Sequence, residues 1–148
     1  MKNKLFCYLC NKNTIAICFI LLYSFSFAQK KVKKPLDAQT FTIELIEQGK
    51  KKAKPIADEL SFKSDKFASK YMAAESQFKP AIYTATVDST ASEPTISFDF
   101  ESKNTDDETL HWVGTVKGEA IEGTTTLAKK GKTKKEYAFS GTLKTKKK

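Results

Sequence analysis

Residues 110–143 read LHWVGTVKGEAIEGTTTLAKKGKTKKEYAFSGTL. Leu110, Trp112, Gly114 and Val116 alternate with His111, Val113 and Thr115. After a turn at Gly118-Glu119 the pattern resumes with Ile121, Gly123, Thr125 and Leu127 on one parity. A lysine-glycine turn spans Lys129 to Lys135, and Tyr137, Phe139, Gly141 and Leu143 then alternate again. Side chains of period two, broken at regular intervals by turns, predict antiparallel strands that cover a core on one face. Three strands joined by short turns leave two open edges, so further strands must close them.

Those strands lie upstream. Thr40–Gln48 places Phe41, Ile43 and Leu45 on one face, before a charged loop from Gly49 to Pro55. Ile56–Lys63 turns Leu60 and Phe62 inward, Ser64-Asp65 makes a two-residue turn, and Lys66–Met72 carries Phe67 and Tyr71. Ala73–Pro80 breaks the alternation, as one helical turn or as a loop closing one end of the sheet. Ala81–Val87 holds Tyr83, Ala85 and Val87 in phase, and Asp88–Pro94 is a turn cluster. Thr95–Ser102 is the cleanest strand, with Ile96, Phe98 and Phe100 opposite Ser97, Asp99 and Glu101.

Eight short strands with short connections predict an all-β, antiparallel, up-and-down barrel, with a two-sheet sandwich as the alternative. Gly114, Gly123 and Gly141 sit on the apolar parity. They either mark the sharp bends of a small barrel or make room for aromatic rings across the core.

The ends of the chain read differently. Lys2, Lys4 and Lys12 precede an apolar run from Thr14 to Ala28 that finishes in Ser-Phe-Ala. This is the pattern of a cleaved secretory signal, with an uncleaved anchor as the alternative. Residues 1–28 are therefore expected to be a leader, 29–37 a basic lead-in, 38–145 the barrel and 146–148 a basic tail, with the protein exported to the periplasm or outside the cell. All three cysteines (Cys7, Cys10, Cys18) fall in the leader, so the remainder must hold together by its core without disulfides.

The net charge of +9 is concentrated at the two ends. From Pro35 to Leu143, fifteen lysines face seventeen acidic residues. No arginine occurs anywhere, and the forked guanidinium groups that dominate phosphate and base recognition are thus missing, which weighs against nucleic acid. The lysine termini are expected to be solvated, or to make weak contact with anionic envelope components.

WVGTVKGEAIEGTTTLAKKGKTKKEYAFSGTL resembles the closing strands of small secreted bacterial lipocalin-like (calycin-type) domains, and FKSDKFAS followed by QFKPAIY resembles their second hairpin and fourth strand. The likeness spans about Ala38 to Thr145. It implies an eight-stranded barrel, usually without catalysis, that in some members holds a small apolar or amphipathic ligand.

Candidate chemistry is sparse. His111 is the single histidine and has no cysteine or histidine partner for a metal, and no Gly-x-Ser-x-Gly accompanies it. Asp99 and Glu101 lie about 7 Å apart on one strand, a separation inverting glycosidases use, yet they occupy the polar face of an alternating strand. Asn104, Asp106 and Glu108 alternate oxygens as a calcium loop does, but Thr109 stands where glycine is needed. No catalysis, metal or cofactor is expected, and no membrane span once the leader is removed. The inward side chains Tyr71, Tyr83, Phe98, Phe100, Trp112, Tyr137 and Phe139 are the candidate ligand-binding residues. Together with Phe41, Phe62 and Phe67 they either line a cavity for an apolar ligand or fill the barrel with a packed core.

Overall fold

Every strand of the computed structural model hydrogen-bonds to two neighbours, so the described sheet has no open edge. The structure describes residues 34–145; the expected leader, most of the basic lead-in and the tail from 146 onward lie outside the described residues. The strands are β1 (Thr40–Glu47), β2 (Ile56–Lys63), β3 (Lys66–Ser69), β4 (Ala81–Asp88), β5 (Thr95–Lys103), β6 (Glu108–Lys117), β7 (Ala120–Lys129) and β8 (Lys132–Leu143). They pair antiparallel in sequence order, and β1 closes on β8 from Phe41 opposite Leu143 to Glu47 opposite Tyr137. The architecture is thus a closed up-and-down barrel and not a sandwich.

Alternation decides which side chains enter the barrel. Phe41, Ile43 and Leu45 of β1 are buried, while Thr42, Glu44 and Ile46 between them face out. The same parity buries Phe98 and Phe100 on β5, Leu110, Trp112 and Val116 on β6, and Tyr137 and Phe139 on β8. Tight turns hold the register. Lys130 and Gly131 both adopt positive φ, as a type I′ hairpin requires. A bulge between Leu127 and Ala128 shifts β7 against β8 just below that turn.

Of the two expected purposes, Gly114 and Gly123 serve the second, making room for aromatic rings. Gly114 and Gly123 are direct cross-strand partners. A Cβ on Gly123 would lie 2.7 Å from the Phe139 ring and 2.6 Å from the Gly114 backbone, and one on Gly114 would lie 2.8 Å from both Phe139 and Phe98. The space left by the two missing side chains is thus taken by the two rings.

Two boundaries differ from the sequence reading: the turn expected over Lys129–Lys135 is confined to Lys130-Gly131, because β7 runs to Lys129 and β8 starts at Lys132, and the third strand is shorter than expected. The alternation from Lys66 was expected to run to Met72, but β3 ends at Ser69 and a short helix, α1 (Lys70–Ser76), begins at once. Ser69 is its N-cap: its backbone is extended, and its Oγ accepts from the Met72 N–H at 3.1 Å. The Tyr71 N–H donates to Asp58 Oδ1 at 2.7 Å. Two of the helix's otherwise orphaned donors are satisfied in this way, and Met-Ala-Ala-Glu favours helix over strand. Gln77, with its backbone in the left-handed region, ends the helix. Tyr71 consequently belongs to α1 and not to a strand. Because the chain leaves the sheet so early, β3 meets β4 over only two residue pairs, Lys66–Ile82 and Phe67–Ala81.

The two mouths of the barrel are closed by different means. At one, the turn Lys34–Gln39 lays Leu36 (0% exposed) across the opening, and Asp37 Oδ1 accepts from the Ser64 N–H at 2.5 Å. The turns after β2, β4 and β6 share this lead-in end. The opposite, helix end carries α1 and the connections after β1, β5 and β7. There Met72 and Phe78 are buried, and Asn104 Nδ2 donates to the Ser76 carbonyl at 2.9 Å.

Candidate functional site: the barrel interior and its helix end

The strand register stacks the inward side chains in rows around the wall. One row runs Tyr83, Phe100, Trp112, Thr125, Tyr137 across β4 to β8, each directly opposite the next. The adjacent row runs Phe98, Gly114, Gly123, Phe139. Across the two glycines, the Phe98 and Phe139 ring centroids come to 6.4 Å.

These rings touch one another. Phe67 meets Phe100 at 4.6 Å and Trp112 at 5.4 Å, and Trp112 meets Phe139 at 5.0 Å. Phe62 sits at the hub, edge-on to Phe41, Phe67, Tyr83 and Phe98 at centroid separations of 5.0 to 6.0 Å. Edge-to-face contacts at these distances are the favoured packing of aromatic quadrupoles. Of the candidate ligand-binding residues, Tyr83, Phe98, Phe100, Trp112, Tyr137 and Phe139 are brought together in this core. Tyr71 is half-buried on α1 and packs at its edge.

Polar atoms are enclosed among the rings. The Tyr83 hydroxyl, Trp112 Nε1 and Thr125 Oγ1 are buried without a hydrogen-bond partner among the described residues. Burial pushes the Tyr83 hydroxyl up to about 12, and the charges of Asp37 and Asp65 push the same way. The nearby Leu36 backbone pulls weakly in the other direction without completing a hydrogen bond. The Lys34 ammonium lies 4.4 Å from the centroid of the Tyr83 ring and donates to the Tyr83 carbonyl. At the helix end, burial raises Tyr137, with the Glu47 charge adding to it. Tyr71 is raised by burial first, then by Tyr137 and Glu75.

Asp58 was not singled out in the sequence, although it shares the inward parity of Leu60 and Phe62. It is 6% exposed, and its oxygens accept from Ser69 Oγ at 2.5 Å, the Glu59 N–H at 2.6 Å and the Tyr71 N–H at 2.7 Å. A buried carboxylate so supplied with donors is held without a cation. It ties β2, the end of β3 and the start of α1 into one latch. Thr125, placed on the inward parity, was not among the candidate binding residues, and Leu36, Met72 and Phe78 were missed. The last three lie outside strands and gave no periodic signal.

The remaining candidates are on the outer surface. His111 Nε2 and Asp99 Oδ2 are 2.8 Å apart, with both side chains substantially exposed. Glu101 also faces out on β5. Asn104 Oδ1 accepts from the N–H groups of Asp106 and Glu108 at 3.0 Å, which folds the loop onto itself. Lys134 Nζ and Asn104 Nδ2 reach Glu108 at 2.6 and 3.1 Å and hold its carboxyl below the usual range. Among the described residues no group of three His, Cys, Asp or Glu side chains is placed to hold a metal. A broad depression of about 550 Å³ lies outside the Gly114–Gly123 pair, between Glu44, Ile46, Val113 and Glu122, and is open to solvent.

Compared with known proteins, the chain matches no family model, no curated protein and no solved structure.

Proposed function

We propose that this protein is a non-catalytic interaction domain of the cell envelope, in which a packed barrel is the scaffold and the surface makes the contacts. The observation that carries this reading is the ring-on-ring packing of the interior. Phe62, Phe67, Phe98, Phe100, Trp112 and Phe139 form a chain of ring contacts at 4.6 to 6.4 Å in the space where a ligand would lie. Opening a pocket there would separate aromatic contacts worth about 0.5–1.5 kcal/mol each beyond their buried area. The leader-like segment that ends at Ala28 supports a place outside the cytoplasm. The up-and-down order of eight strands supports kinship with lipocalin-like domains as part of the same reading.

A second reading is favoured by a specific observation. The unpartnered Tyr83 hydroxyl, Trp112 Nε1 and Thr125 Oγ1 are groups that orient the polar part of a small amphipathic ligand in a lipocalin-like binder. Native mass spectrometry of the chain from Gln29 onward separates the two. The scaffold reading expects the bare mass in repeated preparations, and a retained lipid-like mass released on unfolding would replace it with the binder.

A further inference from the structure

Closure of the barrel brings two segments together that are some eighty residues apart in sequence. Gly49–Pro55 (GKKKAKP) joins β1 to β2, and residues 129–135 (KKGKTKK) form the hairpin from β7 to β8. Because β1 pairs with β8, these loops leave the helix end side by side. The Gln48 N–H donates to the Glu136 carbonyl at 2.8 Å at their base. Nine of the fifteen lysines between Pro35 and Leu143 stand on the first loop and on this hairpin tip, and neither segment contains an acidic residue. All but Lys129 are exposed, and the whole stretch from Lys130 to Glu136 stands clear of the core.

The neighbouring acids leave most of this charge in place. Glu47 pairs with Lys50 at 2.7 Å and Glu108 with Lys134 at 2.6 Å. Glu136 and Glu75 lie at the base, and Asp106 and Asp107 lie on the β5–β6 side of the same end. Lys51, Lys52, Lys54, Lys130, Lys132 and Lys135 make no ion pair among the described residues and are exposed on the two adjoining segments of the rim.

We infer that this lysine rim is a docking surface for an anionic lipid membrane, with the helix end of the barrel facing the headgroups. The inference rests on the interaction-domain reading and names its partner. The chemistry favours a lipid surface over a sequence-bearing or sugar polymer. Every cation is a lysine, on the β1–β2 loop or at the tip of the β7–β8 hairpin, a point charge without the fork that reads phosphates one by one, and such clusters respond to the summed potential of a charged surface. Among the described residues the large exposed hydrophobic side chains, Ile46, Ile82, Val87 and Val113, include no aromatic ring on which bases would stack. The lysine termini, expected to be solvated or to make weak contact with anionic envelope components, are not part of this surface.

All buried core residues lie between Leu36 and Phe139, so the chain from Gln29 to Lys148 retains the complete barrel for a test. Its co-sedimentation is measured with phosphatidylcholine vesicles made with and without phosphatidylglycerol, at low and high salt. Binding is expected only to the anionic vesicles, and weaker as salt rises. The variant K51E/K52E/K130E/K132E, with unchanged circular dichroism, is expected to bind at least about tenfold more weakly. Replacing Lys63, Lys66 and Lys117 at the lead-in end by glutamate is expected to change binding by less than about twofold. Undiminished binding of the loop variant overturns the inference. So does loss of binding on removing the terminal lysines alone, or equal affinity for soluble dextran sulfate. A bare chain that ignores anionic vesicles sinks this inference and leaves the interaction-domain reading standing, whereas a retained ligand mass sinks that reading alone.

Discussion

The two ends of the barrel are closed by opposite chemistry. At the lead-in end an apolar plug, Leu36, sits under short turns whose acids include Asp37, Asp65, Asp88 and Glu119. At the helix end a polar latch, Asp58 with Ser69 and the Tyr71 N–H, holds a seven-residue helix beside two lysine-rich loops. An apolar plug is stable because it is out of water, and it fails only with the core. A polar latch depends on a few directed bonds, and a helix this short has little stability of its own. The seam between β3 and β4, with its two residue pairs, lies next to that latch. The helix end is thus where local opening is expected, and the lead-in end is where the fold is anchored.

Substitutions can break this contrast. Leu36→Ala should have the largest effect, a global loss of about 2–4 kcal/mol in denaturant melts, because a fully buried side chain leaves a cavity at the foot of the core. Asp58→Ala should cost less, about 1–3 kcal/mol, by leaving Ser69 Oγ and the Tyr71 N–H without an acceptor. Its signature is local: amide exchange should accelerate in α1 and β3 while β6 to β8 stay protected. Equal loss of protection in β6 to β8 would show that the ends are not independent.

Titration sharpens the same comparison. The Tyr83 hydroxyl is raised from an ordinary 10 to about 12, so the unfolded chain releases its proton first as pH climbs. The associated stability is complete below pH 10 and is lost between there and about 12, by roughly 3 kcal/mol. Tyr83→Phe should remove that alkaline decline and, by deleting an unpartnered hydroxyl, stabilise the neutral protein by about 1 kcal/mol. The smallest effect is expected at the helix end. Glu108, lowered by Lys134 and Asn104, supports the fold above the usual carboxylate range and ceases to as pH falls through its lowered value. Glu108→Gln should therefore be slightly less stable than the parent at neutral pH and indistinguishable from it in acid.

Much of this architecture is visible in the residue order. Parity alone places Phe41, Phe98, Trp112 and Phe139 inside, because a half-buried strand has one apolar face and one polar face. The Gly114–Gly123 pair is visible as two inward glycines, although their direct opposition is not. The end of β3 is hidden because Phe67, Ser69 and Tyr71 satisfy strand alternation while Met-Ala-Ala-Glu satisfies helix equally well. What decides between them is Asp58, a partner eleven residues before Ser69 in the chain, and a local pattern cannot see it. The lysine rim is hidden for a related reason. Each loop taken alone reads as a solvated turn, and only the pairing of the first strand with the last sets them side by side.

The central claim is that side chains, and not a ligand space, fill the barrel. Trp112 is the only tryptophan and is 0% exposed, in contact with Phe67 and Phe139. Its fluorescence therefore reports on the interior directly. Titration with a fatty acid and with an apolar dye that accepts energy from tryptophan should leave Trp112 emission unchanged in position and intensity. Saturable quenching or energy transfer at micromolar ligand would show that the rings part to admit a guest, and would contradict the packed interior.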